Sequence, residues 1–313
     1  MPLPVYFHVG SSGGNSFIRA IGAARVGDDI LVINYNTDFE QQRHRLEPEP
    51  VSRLTFALGH AIHLAEPWLK DRYEITMLRW PQAMFCSDSV WYHENPPYED
   101  IPEIWGIKDH HERLRAYLAH REAGGANYSP TLIDWLGRRH DMGCGRESSC
   151  AQRLAAVEQC DDVLRKEYHL VGITELMDET LMLFLMDFPD RPITPWVRSR
   201  VNKQRVDPFT LPRDIVERFE HQYAAEVVLY ERARRRLLER FAGFWRTHPE
   251  LHDYYLGFKT AMILTDPLLM ARFAEGDSLY FPPELPLEEL RASVMSKLDR
   301  AHDIRANIMR AYG

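Results

Sequence analysis

Short apolar runs alternate with longer amphipathic stretches from residue 5 to residue 188. Some of the runs are rich in β-branched and aromatic residues and are bounded by polar or turn-forming residues, which predicts strands. These strands cover residues 5–9, 30–35, 53–58, 73–78 and 169–173. Apolar residues at helical spacing predict helices at residues 15–24, 83–92, 109–121, 147–166 and 175–188. Because strands separated by helices form parallel sheets, the pattern predicts an α/β fold with a mainly parallel sheet flanked by helices.

The pattern becomes helical throughout after Pro195. Residues 211–244 predict one long amphipathic helix or two in series, and residues 287–311 predict another. We therefore expect one α/β domain over residues 1–244. The remaining residues, 245–313, are expected to form a helical C-terminal extension that packs on the same domain.

Composition and charge exclude several classes of protein. The 313 residues are 45% hydrophobic and 27% charged, which is typical of a globular chain. A formal net charge of -8 argues against nucleic acid or an anionic membrane surface as the main partner. The sequence has neither a long apolar run nor a signal-peptide pattern at its N-terminus, so we expect a cytoplasmic protein with no membrane partner. Four scattered cysteines predict no disulfide framework. Cys144 and Cys150 are close enough in sequence for a local bridge, but a cytoplasmic protein favours two free thiols.

The predicted turn between the first strand and the first helix is rich in glycine and serine. Its sequence, Gly10-Ser11-Ser12-Gly13-Gly14-Asn15-Ser16, lets backbone amides converge on one ligand, and the helix N-terminus adds partial positive charge. Side-chain donors add to these amides, so the turn suits a phosphate or a sulfate. The alternative is a plain glycine turn capped by Asn15 or Ser16. The turn contains no lysine and no Walker A pattern, which argues against ATP hydrolysis.

Candidate residues also follow two other predicted strands. Arg79 ends the strand at residues 73–78, where side chains face the ligand crevice of a parallel sheet, so it is placed to bind an anion. Ser87 follows on the next helix. His60 comes after the strand at residues 53–58 and is expected at the same edge, where an imidazole suits general-base catalysis. The alternatives are a surface arginine, a helical serine and a packed histidine.

These segments resemble, in order, the elements of sulfotransferases that use 3′-phosphoadenosine 5′-phosphosulfate (PAPS). Residues 5–17 (VYFHVGSSGGNSF) resemble the family's 5′-phosphosulfate loop, and residues 75–81 (ITMLRWP) with Ser87 resemble its 3′-phosphate element. Leu58-Gly59-His60 resembles the motif that carries the base in the heparan sulfate 2-O-sulfotransferase branch. Further segments fall in family positions: residues 170–175 (LVGITE), residues 200–205 (RVNKQR) and Leu229-Tyr230.

The resemblance implies a P-loop-like fold and transfer of a sulfonate group from PAPS to a hydroxyl of a small molecule or a carbohydrate, with no metal ion. It implies that His60 takes the acceptor proton, with His63 or His8 as the alternative base. It also implies that Arg79 and Ser87 hold the 3′-phosphate. The residues assigned to the rest of the nucleotide are Gly10, Ser11, Ser12, Gly13, Gly14, Asn15, Ser16 and Phe17 in the turn, and Lys203 and Arg205 in a closing loop.

The chain departs from the family at two positions. Ser11 stands where the family has a loop lysine that neutralises the leaving oxygen, and Met84 stands where an arginine is common. Loss of such a charge costs about 3 kcal/mol of transition-state stabilisation, so either another cation reaches the site or the chemistry differs. The candidate cations are Lys203, Arg205, Lys70 and Arg72.

This departure leaves two other functions open. One is a protein of the same fold that binds a nucleotide or a sulfated ligand without turnover, and the other is an enzyme with a changed donor. His60 favours an enzyme, because a binding protein has no need of a base. The aromatic residues that are candidates to line an acceptor cleft are Trp91, Tyr92, Tyr98, Trp105 and Tyr128.

Overall fold

A five-stranded parallel sheet forms the centre of the fold. The computed structural model describes residues 2–10, 12–21, 29–34, 36–94, 104, 106–125, 131–191, 193, 206–252 and 255. The strands are β1 (Leu3–Phe7), β2 (Ile30–Val32), β3 (Phe56–Gly59), β4 (Arg72–Leu78) and β5 (Leu170–Ile173). All neighbouring pairs are parallel, in the order β2-β3-β1-β4-β5. The predicted α/β class with a parallel sheet is confirmed, and each predicted strand overlaps an observed one.

Helices connect and flank the strands. The α-helices among the described residues are α1 (Gly14–Ala20), α2 (Asn36–Gln42), α3 (Pro48–Ser52), α4 (Pro81–Glu94), α5 (His110–Glu122), α6 (Leu132–Arg139), α7 (Cys150–Lys166), α8 (Met177–Asp187), α9 (Arg213–Gln222) and α10 (Ala224–Thr247). The amphipathic stretch at residues 211–244 is therefore two helices in series. Short 3-10 turns lie at Arg43–Leu46, Ile62–Ala65, Thr174–Leu176, Pro208–Thr210 and Pro249–Leu251. The helix predicted at residues 287–311 lies outside the described residues, so the C-terminal extension stays a prediction.

The chain divides into two compact units. The first contains Met1–Gly14, Asp28–Leu176 and Arg200–Leu237, and it holds the whole sheet. The second contains Asn15–Gly27, Met177–Ser199 and Leu238–Gly313.

Aromatic contacts form the core of the second unit. The Phe17 ring meets Phe184 edge to face at 5.8 Å, and Tyr255 donates its hydroxyl proton to Glu179 Oε1 at 2.8 Å. Phe17, Phe184 and Glu179 are almost completely buried, so these residues pack the interior of the unit.

The order of the strands makes β1 the point at which the topology reverses. The chain leaves β1 towards the β2 edge, whereas it leaves β3 and β4 towards the β5 edge. In open parallel sheets, ligands bind outside the carboxyl ends of the strands at such a reversal. The turn after β1 and the residues after β3 and β4 therefore lie where a ligand site is expected.

A buried ion cluster joins α6, α7 and α10 within the first unit. Arg153 donates to Asp134 Oδ2 at 2.9 Å and to Glu226 Oε1 at 2.5 Å, and the three side chains are 1%, 0% and 5% exposed. Thr131 also donates to Glu226 Oε1, at 2.9 Å. Because buried charges are costly unless paired, the cluster fixes these three helices against one another.

Candidate functional site

The glycine turn after β1 is held in shape by hydroxyl groups. Ser12 Oγ donates to Val9 O at 2.6 Å, which closes the turn on itself. Thr174 Oγ1 lies within hydrogen-bond reach of Ser12 O and of Leu78 O, the latter at 2.9 Å. Thr174 therefore ties the turn to the end of β4, although the two segments are far apart in the sequence.

Two glycines of the turn are required by their surroundings. Gly13 has a φ of 78°, and an ideal Cβ there would lie 2.8 Å from Thr174 Oγ1. At Gly14, an ideal Cβ would lie 2.3 Å from Tyr6 Oη and 2.6 Å from His8 Nε2. A larger residue at either position would have to displace one of these side chains, so the bare glycine backbone is part of the turn's geometry.

His60 lies at the end of β3 with one ring nitrogen already engaged. Its Nδ1–H donates to the carbonyl oxygen of His8 at 2.5 Å, because a carbonyl can only accept. In the neutral ring Nε2 is then the unprotonated nitrogen, which is the state that a general base needs. Burial lowers the pKa of His60, so the ring is neutral at neutral pH.

The His60 ring also lies against two other rings. It stacks on His8 with ring centroids 4.3 Å apart and planes at 16°, and on Trp135 at 6.3 Å and 17°. These contacts fix the plane of the imidazole. His63, one 3-10 turn further on, meets Phe7 edge to face at 6.5 Å, and burial and then the charge of Arg139 lower its pKa.

Arg79 lines a narrow cavity of about 30 Å³ beside the turn, large enough for a water molecule or two. The lining includes Ser12 from the turn, Met84 from α4 and Tyr230 from α10. Ser87 is half-buried one helical turn after Met84, on the same side of α4. Arg79 and Ser12 therefore lie near the carboxyl edge of the sheet, whereas Ser87 lies further along α4 and is not among the residues that line this cavity.

Glu175 joins two segments that border the same cavity. Its carboxylate accepts the backbone N–H of Trp80 at 3.1 Å and the hydroxyl proton of Tyr230 at 3.0 Å. The Trp80 ring contacts Phe209 at 5.0 Å, and Phe209 is 83% exposed. The sequence pattern of residues 170–175 indicates no role for Thr174 or Glu175. Their role depends on contacts that no spacing rule reveals.

The remaining predicted site residues are placed differently. Asn15, Ser16 and Phe17 belong to the second unit, and Ser16 and Phe17 are buried there. The side chain of Phe17 is therefore a core residue that offers a ligand only its backbone. The residues that lie outside the described part of the chain are Ser11, Lys203, Arg205, Tyr98, Trp105 and Tyr128, and the side chains of Trp91 and Tyr92.

The structure places two of the candidate replacement cations, Lys70 and Arg72, away from the glycine turn. Arg72 opens β4 and pairs in register with Leu3, the first residue of β1, so it lies at the amino edge of the sheet. Its guanidinium pairs there with Glu66 and Glu74. Lys70 immediately precedes it. The 7 residues of β4 span about 20 Å, which separates both cations from the glycine turn at the carboxyl edge.

The described residues offer no metal site and no helix long and apolar enough to cross a bilayer. All four cysteines, including Cys144 and Cys150, are free thiols. A scan against models of protein families finds no match for the chain, and a search of curated proteins finds no relative.

Proposed function

We propose that the chain is a PAPS-dependent sulfotransferase that transfers a sulfonate group to a hydroxyl of a small molecule or a carbohydrate. The observation that carries the proposal is that segments resembling separate elements of that family are hydrogen-bonded together at one edge of the sheet. Thr174 joins the glycine turn to β4, and Glu175 joins the segment after β4 to Tyr230. A resemblance scattered along the sequence thus corresponds to neighbouring residues in space.

The described residues fit the chemistry of a nucleotide phosphosulfate. Gly13 and Gly14 are packed by Thr174, Tyr6 and His8, but an ideal Cβ at Gly10 would meet nothing within 4 Å, so the start of the turn leaves room for an anion, and Arg79 is assigned to the 3′-phosphate. Bound PAPS would supply an activated sulfonate group. His60 Nε2 is free of a proton and would accept the one released by the acceptor hydroxyl.

The proposal predicts a preference between two nucleotides. Because Arg79 and Ser87 are assigned to the 3′-phosphate, the protein should bind adenosine 3′,5′-bisphosphate at least tenfold more tightly than 5′-AMP, as expected for loss of a charge-assisted pair of about 1.5–3 kcal/mol. Calorimetric titration with each nucleotide measures the ratio. Arg79→Ala should remove most of the preference for adenosine 3′,5′-bisphosphate over 5′-AMP.

Arg115→Ala is the matched control for this titration. Arg115 is exposed and pairs with Asp214 on the surface between α5 and α9, so its loss should leave both affinities unchanged. Equal affinity of the wild type for the two nucleotides would overturn the assignment of the 3′-phosphate site.

Transfer itself is tested with PAPS labelled with ³⁵S in the sulfonate group and a panel of phenols, alcohols and sugars. The proposal predicts labelled product with at least one acceptor class. Tight binding of adenosine 3′,5′-bisphosphate without transfer to any acceptor would favour a nucleotide-binding protein of this fold over an enzyme.

A further inference from the structure

Glu175 is an acidic residue at the edge of the sheet where the proposed function places a phosphate. Its exposed side chain lies in the 3-10 turn that follows β5. Leu78 at the end of β4 pairs in register with Ile173 at the end of β5, so this turn lies beside the segment that contains Arg79. A carboxylate repels a bound phosphate, and it therefore weakens such a site unless its contacts offset the repulsion.

Glu175 and its neighbour Thr174 hold the backbone on both sides of Arg79. Thr174 Oγ1 donates to the carbonyl oxygen of Leu78, just before Arg79, at 2.9 Å. The two carboxylate oxygens of Glu175 accept the N–H of Trp80, just after Arg79, at 3.1 and 3.2 Å. Two consecutive side chains from the end of β5 thus fix the backbone groups that flank the arginine.

Tyr230 holds the Glu175 carboxylate in turn. Its hydroxyl donates to Glu175 Oε2 at 3.0 Å, and the Tyr230 side chain is buried. Burial and then the charge of Glu175 raise the pKa of this phenol, so the hydroxyl keeps the proton that it donates. Tyr230 also lines the same cavity as Arg79. A buried residue of α10 therefore orients an exposed carboxylate, which in turn fixes the backbone beside Arg79.

We propose that Glu175, oriented by Tyr230, is a positioning residue that holds Arg79 in place for the anion that Arg79 binds. The inference rests on the proposed function, because it takes that anion to be the 3′-phosphate of an adenine nucleotide. Glu175 acts through the backbone N–H of Trp80. It serves as a hydrogen-bond acceptor, and its negative charge is not what the site uses.

The test compares Glu175→Ala with Glu175→Gln. The measured quantity is the affinity for adenosine 3′,5′-bisphosphate divided by that for 5′-AMP, from calorimetric titration. Glu175→Ala removes the acceptor and should lower this ratio about three- to tenfold, the range expected for one hydrogen bond. In the wild type Oε2 alone accepts from both Trp80 and Tyr230, so the amide oxygen of Glu175→Gln can replace it. Glu175→Gln should therefore keep at least the ratio of the wild type.

Tyr230→Phe tests the second step. Loss of the hydroxyl should lower the ratio about twofold or more in the wild-type background. It should have no further effect in Glu175→Ala, because the two residues act in series. The matched control is Tyr223→Phe, which removes another buried hydroxyl, 3.5 Å from Tyr117 Oη, and should leave the ratio unchanged. If Glu175→Ala fails to fold, Tyr230→Phe decides the matter against this control.

The outcomes separate this inference from the proposed function. A general loss of stability leaves the ratio unchanged, because both nucleotides need the same folded protein. A wild type that prefers adenosine 3′,5′-bisphosphate, with the full preference kept in Glu175→Ala, would overturn the role of Glu175 and leave the site at Arg79 intact. A ratio that rises in both Glu175 variants would show that only the charge matters, and would also overturn it. Equal affinity of the wild type for the two nucleotides would overturn the 3′-phosphate assignment and this inference together.

Discussion

Gly59 and Ile33 are in such close contact that a side chain at position 59 has no space: an ideal Cβ would lie 2.0 Å from the carbonyl oxygen of Ile33. The same oxygen accepts the N–H of Ala61 at 2.9 Å, so the backbone folds tightly around it. Gly59 also has a φ of 143°, which residues with a side chain rarely adopt. The backbone just after β2 therefore requires a glycine at position 59. The conformation of Gly59 in turn determines the position of His60 at the end of β3.

Gly59→Ala should destabilise the protein by about 3 kcal/mol, through backbone strain and the clash with Ile33. Urea unfolding followed by circular dichroism measures the loss. The control is Gly243→Ala, in the interior of α10, where nothing lies within 4 Å of an ideal Cβ. It should stabilise the helix by about 0.5–1 kcal/mol. Similar effects at the two positions would contradict the explanation.

His60→Ala should lower turnover by about 100-fold or more while leaving the affinity for adenosine 3′,5′-bisphosphate nearly unchanged, because a base acts on the acceptor and not on the nucleotide. Steady-state kinetics and calorimetry give the two quantities, and His44→Ala, at an exposed position, is the control. Full turnover in His60→Ala would transfer the role of base to His63 or His8.

The pH dependence of turnover provides a second check on His60. Burial lowers the pKa of this imidazole from 6.5, so the unprotonated base persists below that pH. The acid limb of the profile of kcat against pH should therefore fall below 6.5 and should be absent from the residual activity of His60→Ala. An acid limb above pH 7 in the wild type would point to another group.

Arg153→Met should destabilise the protein by about 3–5 kcal/mol, because Asp134 and Glu226 would be left buried beside each other without their cation. Chemical unfolding measures the loss. Arg115→Met removes an equally short ion pair, but one that is exposed to solvent, and should cause no measurable change. A small effect at Arg153 would mean that the two carboxyls are protonated or solvated in the native protein.

Glu66→Gln should change how stability depends on pH. Burial raises the pKa of Glu66 to about 6, above its ordinary value of 4.5, in spite of the opposing charge of Arg139. The folded protein therefore binds this proton more tightly than the unfolded chain. The resulting stabilisation is complete below pH 4.5 and is lost as the pH rises through 6.

Free energies of unfolding at pH 4.5, 5.5, 6.5 and 7.5 test this directly. As the pH rises from 4.5 to 7.5, the free energy of unfolding of the wild type should fall relative to that of Glu66→Gln. The change should be less than about 1 kcal/mol, because part of the carboxyl group is in solvent. Glu49→Gln, at an exposed pair with Arg53, should show no such trend. If the wild type instead became more stable relative to Glu66→Gln as the pH rises, the raised pKa of Glu66 would be contradicted.

The strands were predictable because the sheet is buried and its strands are short continuous apolar runs. β1 is the clearest case, with Val5, Tyr6 and Phe7 all at 2% exposure or less. The helix α6 was missed because it is short and contains a glycine. Its start was nevertheless encoded, since Thr131 and Asp134 form a capping box.

The site was predictable only where it follows the direction of the strands. The turn after β1, His60 after β3 and Arg79 after β4 are all at carboxyl ends, which the strand assignment places at one edge. The same logic excludes Arg72, because it stands at the start of β4 and therefore at the amino edge of the sheet. Thr174 and Glu175 could not be assigned a role, because a hydrogen bond to a distant residue leaves no pattern in the sequence.

The bond between Thr174 and Ser12 joins residues 162 positions apart, and the one between Glu175 and Tyr230 spans a further 55. During synthesis, the glycine turn, His60 and Arg79 are therefore made well before Thr174 and Glu175, the residues that tie the turn to β4 and the segment after β4 to Tyr230. These bonds can form only once the chain has closed over a long sequence separation, which is the kind of contact that forms slowly in folding. An N-terminal fragment that ends before residue 170 would carry the glycine turn, His60 and Arg79 and still lack the hydroxyl and carboxylate that hold this edge together.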